Sequence, residues 1–194
     1  MSQQVLYIAD PSDWSRSGAA YVTSVFPDSA VIHWGYGDPV PAERLAAWEG
    51  DWIISLKNDL ILPPEVLAKA RKGGVNFHPA PPQYRGLGGY SYALYNGDDT
   101  YGITCHKMIK EVDKGPIVRV LRFPLFPWDT LSSLRERTGA FCIAFLHELV
   151  SYIANEQPLP LAAEVWGEKL LTRKEYSAFV EKLRATGVDH RCLR

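Results

Sequence analysis

The stretch that decides the fold is "GGVNFHPAPPQYRGLGGY", which runs from Gly73 to Tyr90. It begins like an apolar β-strand and continues into prolines and glycines. Side chains two residues apart in a strand point to the same face, so Asn76 and His78 are predicted to project together. Proline fixes φ and lacks an N–H donor, so the run that begins at Pro79 predicts a stiff, open loop. The stretch therefore predicts an amide and an imidazole held side by side where a strand ends.

Apolar runs alternate with helical patterns on both sides of this stretch. Such alternation indicates βαβ units. We predict an α/β fold with an open, mostly parallel twisted sheet flanked by helices, and an antiparallel addition from the last two long strands. The predicted strands are 5–10, 30–35, 51–56, 75–78, 101–108 and 116–125, and the predicted helices are 15–26, 41–48, 63–74, 89–97, 130–155 and 173–187.

The chain length fits one substantial domain. With 194 residues it can bury roughly 70% of the surface that its unfolded form exposes. We predict one domain over residues 1–157, and a C-terminal appendage over 158–194 that ends in a helix and is not an independent domain.

The composition argues against several classes of protein. The formal net charge is −1, which gives no support for sequence-blind attraction to nucleic acid or to a membrane surface. No apolar run approaches the ~20 residues that a membrane span needs. The N-terminus has no basic region followed by an apolar run, so we predict no signal peptide. Three scattered cysteines without a CxxC pair indicate a reducing compartment, and we predict the cytoplasm.

A carboxylate is predicted at the same edge of the sheet. Asp113 lies in "EVDKGPIV", a turn between the last two predicted strands of the sheet. Open α/β sheets place their ligand crevice at the carboxyl ends of the strands. Asn76, His78 and Asp113 could form one constellation there. The alternative is that Asn76 and His78 only cap the strand end and bond to backbone.

These segments resemble a known family. "NFHPAPPQYRG", "YALYNGDDTYGITCHKM" and "VDKGPIV" are similar to the catalytic domain of the 10-formyltetrahydrofolate-dependent formyltransferases. That family includes the glycinamide ribonucleotide, methionyl-tRNA and sugar N-formyltransferases. Its pattern is Asn-x-His-Pro, a Gly-containing loop, Gly-x-Thr-x-His and Asp-x-Gly, and the match covers about residues 51–125. The resemblance implies a Rossmann-like formyltransferase fold, with residues 1–157 as the catalytic domain.

The resemblance also implies a catalytic set, Asn76, His78 and Asp113, and 10-formyltetrahydrofolate as formyl donor. Asn76 and His78 would donate to the formyl oxygen as it gains negative charge, and one such donor typically contributes ~3–4 kcal/mol. Asp113 would orient His78 and take the ammonium proton, directly or through water, which is typically worth ~10²–10⁴ in rate. No metal is required. A metal site made of His78, His106 and Asp113 is an alternative on residue type alone.

A pterin slot is implied between the loop after the third strand and the loop before the catalytic Asp. The alternative is a plain turn with a buried Leu/Ile cluster. The residues that we predict to bind the folate are Leu56, Lys57, Leu60, Ile61 and Val112.

Two residues of the stiff loop are predicted to bind the acceptor. Arg85 could hold an acidic group of the acceptor, or bridge the loop to a carboxylate. Tyr84 could contribute to an aromatic wall, or belong to the edge of the core. His106, on the following strand, is predicted to pack or to hydrogen-bond to a catalytic residue.

Departures from the family pattern narrow the range of possible acceptors. The segment after the first strand, "ADPSDWSRSGAAY", lacks clustered glycines, which argues against glycinamide ribonucleotide. Residues 158–194 are far fewer than the C-terminal domain of the methionyl-tRNA enzymes, which argues against tRNA. We predict an N-formyltransferase acting on the primary amine of a small acceptor, favouring a nucleotide-linked amino sugar.

The predicted partners are this amine and the folate, without nucleic acid or membrane, and a homodimer is left open. The alternatives for the function are formylation of an amino acid, a peptidyl amine or glycinamide ribonucleotide, a formyl-folate hydrolase, or a non-catalytic folate- or nucleotide-binding Rossmann-like protein.

Overall fold

A computed structural model describes residues 3–194, and the strands in this range form two sheets. The strands are β1 Val5–Ala9, β2 Ala30–His33, β3 Gly50–Leu56, β4 Ala70–His78, β5 Arg85–Gly86, β6 Thr100–Lys107, β7 Ile117–Pro124 and β8 Leu170–Leu171. The main sheet has the order β2-β1-β3-β4-β6-β7. Its first four strands are parallel, and β6 and β7 are antiparallel additions. The predicted mixed sheet is therefore confirmed.

Helices cover both faces of the main sheet. They are α1 Asp13–Val25, α2 Ala42–Ala47, α3 Pro64–Leu67, α4 Gly89–Asn96, α5 Leu131–Ala154 and α6 Arg173–Ala185, with a 3-10 turn at Arg191–Leu193. Helices α1 and α5 are capped at their N-termini by Ser12 and Thr130, whose side chains accept hydrogen bonds from N–H groups of the first turn. Within residues 3–194 no helix is long and apolar enough to cross a membrane.

Strand β1 illustrates why this fold can be predicted from the sequence. It is buried on both faces. Tyr7 joins the cluster that α1 and α5 cover, whereas Leu6 and Ile8 join the cluster under α2 and α3. A central parallel strand needs apolar residues in both directions, so it appears as an unbroken apolar run.

The prediction of a helix over 63–74 is wrong in its second half. Helix α3 ends at Leu67, and β4 begins at Ala70. Gly73 and Gly74 pair with Trp52 and Ile53 of β3, and Gly73 has a φ of +114°. Adjacent glycines disfavour a helix, whereas the exposed start of a paired strand tolerates them.

The C-terminal residues pack back onto the main body of the chain. Strand β8 pairs with β5. Phe179 of α6 stacks on Tyr92 of α4 at 4.5 Å between ring centroids, and Ser91 donates to the Cys192 carbonyl at 2.9 Å. The boundary between residues 157 and 158 stays a prediction.

Candidate active site

The register between β4 and β6 brings together the first two side chains of the site. In this antiparallel pair Asn76 lies directly opposite His106, so their side chains share a face. Asn76 Nδ2 is 3.1 Å from His106 Nε2. His78, two residues further along β4, projects to the same face.

Asp113 completes the site by lying between two imidazoles. Its Oδ2 is 3.3 Å from His78 Nδ1, and its Oδ1 is 3.3 Å from His106 Nε2. The Gly86 N–H donates to Oδ2 at 2.9 Å. The side chains of the two histidines and Asp113 are 4–8% exposed. The structure therefore brings together Asn76, His78 and Asp113, as the sequence predicted, and it places His106, which the sequence predicted to pack or to hydrogen-bond to a catalytic residue, in contact with both Asn76 and Asp113.

The other ring nitrogen of each histidine faces a backbone carbonyl. His78 Nε2 is 2.7 Å from the Tyr84 oxygen, and His106 Nδ1 is 2.9 Å from the Lys107 oxygen. A carbonyl only accepts, so both of these nitrogens carry a proton. Each imidazole can then donate to Asp113 only with a second proton, as a cation.

The surroundings of Asp113 favour its ionised form. Burial alone would raise the pKa of this carboxyl. The charges of His78 and His106, with hydrogen bonds from His106 and the Gly86 N–H, more than offset burial and hold the pKa of Asp113 well below its ordinary value. The site therefore contains a fixed negative charge with two imidazoles around it.

This low pKa predicts how Asp113 contributes to stability. A carboxyl with a depressed folded-state pKa stabilises the fold above its unfolded pKa, and this contribution disappears as the pH falls towards the folded pKa. Asp113 should therefore stabilise the protein fully above about pH 4 and progressively less below it. We expect the difference in unfolding free energy between wild type and Asp113→Asn, measured with urea, to be smaller at about pH 3 than at about pH 5.5. An equal difference at both values would contradict the ion-pair origin of the shift.

Arg85 fixes the backbone of the Asp113 loop. Asp113 has a left-handed φ of +45°. Arg85 Nε donates to the Asp113 oxygen at 2.7 Å and Nη2 donates to the Val112 oxygen at 3.1 Å. Its Nη1 contacts the carbonyls of Gly167 and Glu168 at 3.3 and 3.2 Å. The buried guanidinium thus binds four backbone carbonyls, and the expectation that it faces an acidic acceptor group is corrected to a bridge between two chain segments.

The Tyr84 side chain is also directed inward. Its hydroxyl donates to Asp98 at 2.7 Å and accepts from Asn96 at 3.0 Å. Burial and the bond to Asp98 raise the pKa of Tyr84 to about 12. The phenol therefore belongs to the core edge and not to an acceptor wall, and Tyr84 serves the site through the carbonyl that binds His78.

The five residues predicted to bind folate fall into two groups. The Leu56 side chain is fully buried in the core, and Lys57 lies 3.3 Å from the Asp10 carboxylate, so neither side chain lines an open slot. Leu60 is half-buried. Ile61 and Val112 are 68% and 37% exposed, and they are the members of the set that present an apolar surface to solvent.

A tryptophan that no motif marks also reaches the site. The Trp166 ring lies 5.0 Å from the His106 ring and 5.9 Å from the His78 ring, centroid to centroid. Its Nε1 donates to the Gly115 carbonyl at 2.8 Å. Within residues 3–194 no group of three or more His, Cys, Asp or Glu side chains has the arrangement of a metal site.

Comparison with known families decides the class of the protein. The model of the formyl transferase family matches residues 9–149. The chain belongs to the formyl transferase family. The match includes Asn76, His78, His106 and Asp113 of this formyltransferase, and it ends before Trp166.

Solved structures show the same fold at low sequence identity. A sugar N-formyltransferase from a Shewanella species has a TM-score of 0.70 at 18% identity, over 91% of this chain and 79% of that one. An N-formyltransferase from Helicobacter canadensis, in complex with folinic acid and dTDP-3-aminofucose, has a TM-score of 0.72 at 17% identity, over 90% and 72%. HypX from Aquifex aeolicus, in complex with tetrahydrofolic acid, has a TM-score of 0.68 at 20% identity, over 89% of this chain and 30% of HypX.

Proposed function

We propose that this formyltransferase moves the formyl group of 10-formyltetrahydrofolate to the primary amine of a small acceptor, with a nucleotide-linked amino sugar as the favoured acceptor. The observation that carries the proposal is the Asp113 carboxylate held between two imidazoles beside the Asn76 amide. The solved relative from Helicobacter canadensis, which holds both a folate and a nucleotide-linked amino sugar, supports this choice of partners.

Asn76 has unused hydrogen-bonding capacity at the centre of the site. Its Nδ2 carries two N–H bonds, and the contact with His106 engages only one of them. The second N–H can donate to the formyl oxygen as negative charge develops there. Its Oδ1 is buried and has no partner among the described residues, so a hydrogen bond from the amine would satisfy it once the amine has entered the site.

His106 is better placed than Asp113 to take the proton that the amine loses, because its Nε2 lies 3.1 Å from the Asn76 amide at the centre of the site. A base works best when its pKa lies near the working pH, and the pKa of Asp113 is far below it. We propose that His106 Nε2, which can accept a hydrogen bond from Asn76 when unprotonated, receives the proton. Asp113 then stabilises the resulting cation. This assignment replaces the expectation that Asp113 itself is the base.

His78 has a different role from the one expected. Both of its ring nitrogens are engaged, one with the Tyr84 carbonyl and one with Asp113. It can donate to the formyl oxygen only by exchanging one of these contacts. We therefore propose that His78 holds Asp113 in position, and that Asn76 is the principal donor to the oxygen.

The formyl donor is proposed to lie between the loop after β3 and the loop of Asp113. The bound 10-formyltetrahydrofolate would supply the formyl carbon. Ile61 and Val112 could pack against the flat face of the pterin ring, because both side chains are exposed at these loops.

Ile61→Glu should weaken folate binding about tenfold or more, because it removes the apolar contact with the ring face and the bound folate would bury a carboxylate without a partner. Calorimetry with 5-formyltetrahydrofolate, a stable analogue, measures this effect, with one site per wild-type chain. Val188→Glu is the control, since Val188 is 60% exposed in the C-terminal segment. Equal affinity of wild type, Ile61→Glu and Val188→Glu would place the pterin elsewhere, and no binding to the wild type would overturn the folate assignment.

A screen of amines tests the reaction itself. The chain is incubated with 10-formyltetrahydrofolate and nucleotide-linked amino sugars, amino acids, glycinamide ribonucleotide or methionyl-tRNA, and products are identified by mass. An acceptor that gains one formyl group only with enzyme supports the proposal. Release of formate without an acceptor would identify a hydrolase instead, and binding without turnover would identify a binding protein. Efficient formylation of the tRNA would overturn the small-acceptor assignment.

A further inference from the structure

The C-terminal segment from Ala162 to Arg173, here called the strap, crosses the edge of the sheet where the site lies. At its start the Ala162 N–H donates to the Ile117 carbonyl at 2.9 Å, and Glu164 pairs with Arg122 of β7. At its end Arg173 binds Asp59, in the loop after β3, at 2.9 Å. The strap therefore spans from β7 to the loop after β3.

The middle of the strap is attached to both catalytic loops. The Gly167 N–H donates to the Pro82 carbonyl at 3.0 Å, in the loop after His78. A Cβ atom at Gly167 would lie 2.9 Å from the Gln83 oxygen, so the close approach requires glycine. Arg85 donates hydrogen bonds to the carbonyls of Gly167 and Glu168. These contacts set the position of the residue just before them, Trp166.

We propose that the strap supplies a wall of the active site, and that Trp166 is a positioning residue that holds the imidazoles of His78 and His106 against Asp113 and excludes water from them. The inference rests on the proposed function for its effect on rate. The family match ends at residue 149, so this wall lies outside the matched residues.

The burial of the site supports a covering role for the indole. His78 and His106 are 5% and 3% exposed, and the Trp166 ring packs edge-to-face with both of them. The indole N–H is anchored to Gly115, two residues after Asp113. A carboxylate and an imidazolium attract each other more strongly when water is excluded. Loss of the indole should therefore admit water and weaken the contacts that orient both rings.

Chemical modification of histidine tests the wall without knowledge of the acceptor. Wild type, Trp166→Ala and Trp166→Phe are treated with diethyl pyrocarbonate, and modification of each histidine is followed by mass spectrometry of its peptide. His147, which is exposed, is the internal reference. We expect His78 and His106 to react about tenfold faster in Trp166→Ala than in wild type, and Trp166→Phe to stay within about threefold of wild type.

Kinetics then test the positioning role. With the acceptor from the screen, kcat of Trp166→Ala should fall about tenfold or more while KM for the formyl donor changes less than about threefold. Trp166→Phe should restore most of the rate, because a ring fills the same place. Trp128→Ala is the control, since Trp128 is 74% exposed and stacks on Phe126. It should change neither measurement.

The results of these experiments test the Trp166 wall and the proposed formyl transfer separately. If His78 and His106 react as fast as His147 in the wild type, or are unaffected by Trp166→Ala, the wall is wrong. If they become reactive in Trp166→Ala but the wild type formylates no amine, the wall stands and the proposed function fails. If Trp166→Ala does not fold, Trp166→Leu is tested by the same criteria.

Discussion

Asp113→Asn is expected to lower kcat by about 10²–10⁴ while the affinity for the formyl donor changes little. Asparagine keeps the shape of the side chain and tolerates the left-handed φ of +45° at this position. It removes the negative charge that His78 and His106 share, so an imidazole that takes a proton from the amine is no longer stabilised. The measurement is single-turnover formation of the formylated acceptor, with folate affinity determined separately.

Asp129→Asn is the matched control for loss of a buried carboxylate. Asp129 is 3% exposed and accepts from Arg137 Nη2 at 2.6 Å and from the Phe126 N–H at 2.7 Å, away from the site. Its replacement should reduce stability but change kcat less than about threefold. If Asp113→Asn kept the wild-type rate, the carboxylate would have no part in the reaction. If both variants lost kcat equally, the loss would reflect the fold and not the site.

Patterns in the sequence were sufficient for the fold and for the set Asn76, His78 and Asp113, but not for the partners of His106, Arg85 and Tyr84. The two-residue spacing of Asn76 and His78 already places them on one face, because strand geometry depends only on neighbours. The apolar run of β1 likewise determines a central strand. The helix over 63–74 was wrong because a strand start and a frayed helix end look alike near adjacent glycines, and only pairing with β3 decides between them.

The rest of the site depends on contacts between residues far apart in the chain. His106 meets Asn76 through the β4–β6 register, which no local pattern encodes. Arg85 and Tyr84 were predicted to face an acceptor because both are polar residues in a loop beside the catalytic histidine. In the structure both side chains point inward, because Arg85 donates to carbonyls of the strap and the Tyr84 hydroxyl donates to Asp98. Burial of a polar group requires partners, and the sequence does not show where those partners lie.

Arg85→Met is expected to destabilise the protein by about 3 kcal/mol or more and to lower kcat by about 10². Methionine keeps the apolar stem but leaves four backbone carbonyls without their donor, two in the Asp113 loop and two in the strap. The Asp113 loop would then relax from its left-handed conformation, and small displacements of catalytic groups are costly in rate. Arg85→Lys should resemble Arg85→Met, because an ammonium group cannot reach all four carbonyls as the planar guanidinium does.

Arg71→Met is the control for this change, because Arg71 makes its contacts at the surface. Its side chain is 59% exposed and pairs with Asp51 at 3.0 Å, so its replacement should cost less than about 1 kcal/mol and leave kcat unchanged. Urea unfolding gives the stability of each variant, and formyl transfer is measured well below the unfolding midpoint. Modification of His78 and His106 by diethyl pyrocarbonate should increase in Arg85→Met, because release of the strap also releases Trp166. A stable and fully active Arg85→Met protein would show that the guanidinium does not hold the two segments together. The inference that Arg85 links the strap to the Asp113 loop would then be wrong.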